Sequence, residues 1–102
     1  MLKFTISLGL KDKDTKKQKI TTRKAKRKLQ KLLYVNGLDA TIYKANGLYT
    51  HDNGRQVKEN TIRIDLYFAK EEKVLKFCET LKIEYNQESV VLEKVAINSD
   101  LI

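Results

Sequence analysis

The chain has 102 residues, of which 41% are hydrophobic and 33% charged. It carries a formal net charge of +8 at pH 7, with four glycines, no proline, no tryptophan and one cysteine, Cys78. A chain of this length forms a single domain, 1–102, around one modest core. One cysteine excludes an intrachain disulfide and a cysteine-based zinc centre. The lack of a leader-like apolar segment or a run of about 18 apolar residues predicts neither signal peptide nor membrane span, so a cytoplasmic protein is expected.

The charge is concentrated at one end. Residues 1–31 hold twelve Lys and Arg against Asp12 and Asp14, whereas residues 32–102 hold nine bases and eleven acids. Such a field attracts polyanions and says little about fold.

Leu2, Phe4, Ile6, Leu8 and Leu10 alternate with Lys3, Thr5, Ser7 and Gly9, the period of a half-buried first strand. Residues 11–19 are charged, lack periodicity and read as an exposed loop. Thr21 or Thr22 can cap a helix. Ala25, Leu29, Leu32 and Leu33 then form one apolar stripe, and Asn36-Gly37 ends it. A second strand is expected around Ala40–Tyr49, with a bulge or kink at Asn46-Gly47. Asp52-Asn53-Gly54 signals a hairpin turn. The return strand is clearest at Thr61–Phe68, and a second helix, roughly Lys70–Glu84, buries Val74, Phe77, Cys78 and Leu81. Ser89–Ile97 is a β-branched last strand, and the tail 98–102 is expected to fray. The order β-α-β-β-α-β predicts an α+β, ferredoxin-like domain: a four-stranded antiparallel sheet with both helices on one face.

The second half carries an ordered set of short signatures: Gly37-Leu38-Asp39-Ala40-Thr41, Gly47-Leu48-Tyr49, the turn glycine Gly54, Glu59, and Gln87-Glu88-Ser89-Val90. Over about residues 37–95 it resembles an uncharacterised family, a domain of unknown function, of small ferredoxin-like bacterial and phage proteins. Members usually place a tryptophan where this chain has Tyr49, and their first helix is less basic. The resemblance implies the fold and supplies no activity.

For function, the first helix stands out. Arg23, Lys24, Lys26, Arg27, Lys28 and Lys31 fill the arc outside its apolar stripe, with no acid three or four residues away within the helix. Cations in its first turn also oppose the helix dipole, and a local rule broken without local compensation points to function. With Lys16, Lys17 and Lys19 of the preceding loop they form one candidate surface for nucleic acid or a ribonucleoprotein, contacting phosphate rather than base. The outward sheet face, with Tyr43 and Tyr67 beside Thr5 and Ser7, lacks the aromatic pattern of an RNA-recognition motif. His51, beside the hairpin turn, makes no triad and no transition-metal site, and Cys78 is core. Glu59, Asp65, Gln87 and Glu88 have no geometry fixed by sequence, and no cofactor or metal is expected. The expectation is thus a non-enzymatic phage or mobile-element accessory protein, in analogy to inhibitors of a CRISPR effector. The alternative is a homo-oligomeric regulator or small-nucleotide sponge, at its simplest a homodimer, with its pocket between subunits.

Overall fold

The computed structural model describes residues 1–102. The elements are β1 (Leu2–Gly9), α1 (Thr22–Val35), β2 (Thr41–Thr50), β3 (Gln56–Tyr67), α2 (Glu71–Glu84) and β4 (Val91–Ala96). They form one antiparallel sheet in the order β2-β3-β1-β4, the ferredoxin-like arrangement read from the sequence.

Both helices cover one face of this sheet, because the alternation in β1 and β3 makes that face apolar. Phe4, Ile6 and Leu8 pair in register with Leu66, Ile64 and Ile62. Over them pack Ala25, Leu29 and Leu33 of α1 and Val74, Phe77, Cys78 and Leu81 of α2. Helix α1 starts where Thr21 Oγ1 accepts the Lys24 N–H at 3.2 Å. The Tyr85 hydroxyl, just past α2, donates to the Ala25 carbonyl at 2.8 Å and ties the two helices together. Burial pushes that phenol above its ordinary range.

Three local details add to or differ from the expectations. First, the segment after β1 is the exposed loop expected, but it is held in place. Lys11 bridges Gln18, and Asp12 is only 6% exposed. The Asp12 carboxylate accepts from Asn86 Nδ2 at 2.6 Å and from the N–H groups of Asp14 and Thr15 at 3.1 and 3.0 Å. The Asn86 hydrogen bond, followed by that of Thr15, holds the Asp12 carboxyl down at about 2. Second, β2 runs through Asn46-Gly47 without a bulge, pairing them with Asn60 and Glu59. Third, β3 begins at Gln56, five residues earlier than its clearest alternation suggests. The outer parts of β2 and β3 pair only with each other, so the hairpin projects beyond the sheet and the molecule measures 47 × 27 × 23 Å. The tail 98–102 is exposed and outside regular structure.

Candidate functional site: a groove on the open sheet face

The face of the sheet away from the helices carries Lys3, Thr5, Ser7 and Gly9 of β1 with their cross-strand partners Tyr67, Asp65, Arg63 and Thr61 of β3. One half of it is internally satisfied. Thr5 Oγ1 donates to Asp65 Oδ1 at 2.9 Å, and Lys3 Nζ stands 3.9 Å from Asp65 Oδ2. Arg63 Nη1 donates to Ser7 Oγ at 2.8 Å and to Glu93 Oε1 at 3.1 Å. These groups have each other as partners and leave little for a ligand.

The other half is a groove of about 680 Å³ where the end of β1, the projecting hairpin and the entry to β4 meet. Its lining includes Glu59, Glu88, Tyr49, His51, Arg55 and Lys11. Glu59 lies at the centre of the arrangement, and Gly9 makes room for it. A β-carbon on Gly9 would lie 2.6 Å from Glu59 Oε2 and 2.7 Å from its Cδ, so the carboxylate occupies the space that any other residue's side chain would take. Gly47 is paired with Glu59 across the hairpin. A β-carbon there would meet the Tyr49 hydroxyl at 2.9 Å and its ring at 3.1 Å, so Tyr49 lies over Gly47.

The backbone completes the floor. Glu59 Oε2 accepts the Lys11 N–H at 2.8 Å. The Lys11 carbonyl in turn accepts from Gln87 Nε2 at 2.7 Å. Glu59, Lys11 and Gln87 thus form a relay fixing the end of β1 against the entry to β4. No lysine, arginine or histidine pairs with Glu59 or Glu88: the ion pairs of the molecule lie elsewhere. The groove therefore offers two carboxylates to a cation, amines at its rim, and an aromatic ring with Val57 and Val91 for an apolar body.

Of the set Glu59, Asp65, Gln87 and Glu88, Asp65 belongs to the satisfied half and the other three share the groove. The partner of Glu59 is a backbone N–H, that of Lys11, rather than a basic side chain. His51 is exposed at the hairpin tip, where its N–H donates to the Arg55 carbonyl at 2.8 Å, and it lines the same groove. Glycine in a strand interior was the available signal: Gly9 and Gly47 both mark close approach.

The nine expected binding residues do not form one surface. Lys16, at φ 60°, lines the open-face groove. Lys17 is exposed on the same loop, and Lys19 Nζ stands 3.9 Å from Asp12. Lys28 Nζ donates to the Glu84 carbonyl at 2.6 Å, lies 3.3 Å from the Glu84 carboxylate and sits over the Tyr85 ring at 5.0 Å. Arg23, Lys26 and Arg27 come together beside β2, and Lys31 follows in an adjoining groove. Lys24 is exposed in the first turn, its N–H donating to the Thr21 cap.

Comparison with solved structures places this architecture beside a known enzyme. The chain superposes on a phage SAM lyase in complex with S-methyl-5'-thioadenosine with a TM-score of 0.67, 24% identity, and coverage of 92% of this chain and 79% of that one. The apo form of a phage SAM lyase gives 0.64 at 22% identity over 92% and 78%. CutA from Pyrococcus horikoshii, crystallised with 3 M guanidine hydrochloride, gives 0.61 at 11% identity over 99% and 88%. No protein-family model and no curated protein matches the chain. The lyase likeness corrects the expectation of a non-enzymatic module. The same architecture, over 92% of this chain, carries catalysis in that protein, so lack of a triad or metal cluster is no argument against an enzyme here.

Proposed function

We propose that this chain is a lyase of adenosyl sulfonium compounds, with S-adenosylmethionine as the substrate, acting in the open-face groove. The observation that carries this reading is Glu59, fixed against Gly9 by the Lys11 N–H and paired with no basic side chain, inside a groove of the size small-molecule sites have. Support comes from the likeness to a phage SAM lyase seen with S-methyl-5'-thioadenosine.

The chemistry of the substrate matches the lining. S-adenosylmethionine carries a sulfonium and an ammonium, one carboxylate and an adenine ring. Glu59 and Glu88 meet the ammonium, the Lys11 ammonium and the Arg55 guanidinium orient the carboxylate, and Tyr49 with Val57 and Val91 receives the ring. In the reaction the bond between sulfur and the amino-acid chain breaks, and its electron pair stays on sulfur. The sulfonium becomes the neutral thioether of S-methyl-5'-thioadenosine. An oxygen of the substrate's own carboxylate bonds to the carbon that sulfur leaves, closing the four-carbon fragment as a lactone that keeps its ammonium, so no water is consumed. Charge disappears at sulfur in the transition state, and exclusion of water from the groove favours that step.

The groove is open to solvent as it stands, and Tyr49, Val91 and Val95 expose apolar surface along this face. A second copy of the chain is the cover we assign, which joins the enzyme reading to the expected homo-oligomer with its pocket between subunits. The test is a thermal shift with S-adenosylmethionine and with S-methyl-5'-thioadenosine. Both are expected to raise the melting temperature of the wild type, and Glu59→Gln is expected to lose most of the shift. Equal shifts with and without the Glu59 carboxylate would overturn the assignment.

A further inference from the structure

Helix α1 faces the edge strand β2 across a cleft of about 280 Å³ lined by Arg23, Lys26, Arg27 and Gln30 of the helix and Lys44 of the strand. No acid lines it. Arg23, Lys26, Arg27 and Gln30 recur at i, i+3, i+4 and i+7, so one face of α1 supplies all four. Lys44 pairs with Ile62, which puts it on the helix side of the sheet, in line with Ile42 and Ile64. A position that is otherwise apolar in this layer thus carries a cation aimed at three more.

Six basic residues outside the cleft have an acidic partner, Lys3 with Asp65 and Lys82 with Glu79 among them. Lys19 has Asp12, Lys28 has Glu84, Arg63 has Glu93 and Lys94 has Glu71. The four cations of the cleft have no such partner, and α1 contains no Asp or Glu. The strip also continues. A second groove, sharing Arg27 and Gln30, runs on through Lys31 to Tyr34 at the end of the helix. Tyr34 is 86% exposed, a flat apolar ring at the end of a row of amines. From Arg23 to Tyr34 the row is about 17 Å long, or roughly five base-pair steps of nucleic acid.

We propose that this cleft and its continuation along α1 bind the phosphodiester backbone of nucleic acid, independently of sequence, with Arg23, Lys26, Arg27 and Lys44 on phosphates and Tyr34 against a sugar or an unstacked base. An isolated phosphate would fill the cleft alone. The extension past Arg27, with Lys31 and then an aromatic ring, favours a polymer. The surface lies on the helix side of the sheet and is separate from the open-face groove, so it does not depend on the lyase reading.

The test is a fluorescence-anisotropy titration of a labelled mixed-sequence DNA duplex with the full chain across a series of salt concentrations. Four phosphate contacts predict a slope of log affinity against log salt of about −3.6. Arg27→Gln with Lys44→Gln is expected to weaken binding at low salt and to make the slope shallower by about two, while circular dichroism stays native. Lys17→Gln, outside the cleft, is expected to leave the slope as in the wild type. No binding at ~50 mM salt, a flat salt profile, or a folded double variant that binds as the wild type does would overturn the proposal. So would millimolar inorganic phosphate raising the melting temperature through Arg27 and Lys44 while the duplex fails to bind, which would leave a free-anion site only.

Discussion

Glu59 and Tyr49 each lie over a residue that has no side chain. Gly9 leaves the space the Glu59 carboxylate fills, and Gly47 leaves the space that Tyr49 covers. Gly9→Ala is therefore expected to displace the Glu59 carboxylate, break its hydrogen bond to the Lys11 N–H, and reduce turnover by at least about tenfold while the protein still folds. Steady-state kinetics beside a urea melt check this, and wild-type turnover in the alanine variant would show that the placement of Glu59 is unimportant. Asp12 gives a pH prediction. Its carboxyl titrates at about 2 in the folded chain against an ordinary 3.8, so the charged form is the one the fold favours. The stability this supplies is complete above about pH 4 and is lost as pH falls through about 2. Melts of the wild type and Asp12→Asn are expected to differ most near pH 5 and to converge toward pH 2. A constant difference would contradict the pinning of the loop by Asn86. Gly9 signals a close approach, but neither contact partner could be read from the chain. Gly9 meets Glu59 across 50 positions of sequence and Asp12 meets Asn86 across 74, and both contacts depend on strand register rather than local pattern.

The elements themselves were legible where one physical period dominates. Alternation in Leu2–Leu10 marked β1 and its buried face, the Ala25-Leu29-Leu33 stripe marked the packed side of α1, and Thr21 was one of the two caps considered. The outer hairpin was not, because Gln56–Asn60 pairs only with β2 and carries no apolar alternation to announce it. The split of the basic residues was also hidden. Helical angles placed six cations on one broad arc, but α2 captures Lys28 through Glu84 and β2 adds Lys44. Leu29 is fully buried beneath α1, and its replacement by Ala is expected to cost about 2–5 kcal/mol. A urea melt showing a loss of only a few tenths would mean that α1 does not pack on this sheet. Thr21→Ala removes the cap accepting from Lys24 and is expected to cost about 1 kcal/mol, measured the same way.

At the scale of the molecule, one small domain carries two chemically distinct surfaces. The helix side of the edge strand gathers uncompensated cations, whereas the open sheet face holds the carboxylates of Glu59 and Glu88 free of basic partners. The open face is also where a second copy would close the groove, and sedimentation across a concentration series is expected to show a species larger than the 11.9 kDa chain. The central claim is that the groove breaks the carbon–sulfur bond of S-adenosylmethionine. Liquid chromatography of the purified protein incubated with S-adenosylmethionine measures this directly. The wild type is expected to release S-methyl-5'-thioadenosine at a rate proportional to enzyme, with at least about a hundredfold loss in the folded Glu59→Gln, Glu88→Gln double variant. No product above the uncatalysed background from the wild type, or equal release by the double variant, would contradict the account.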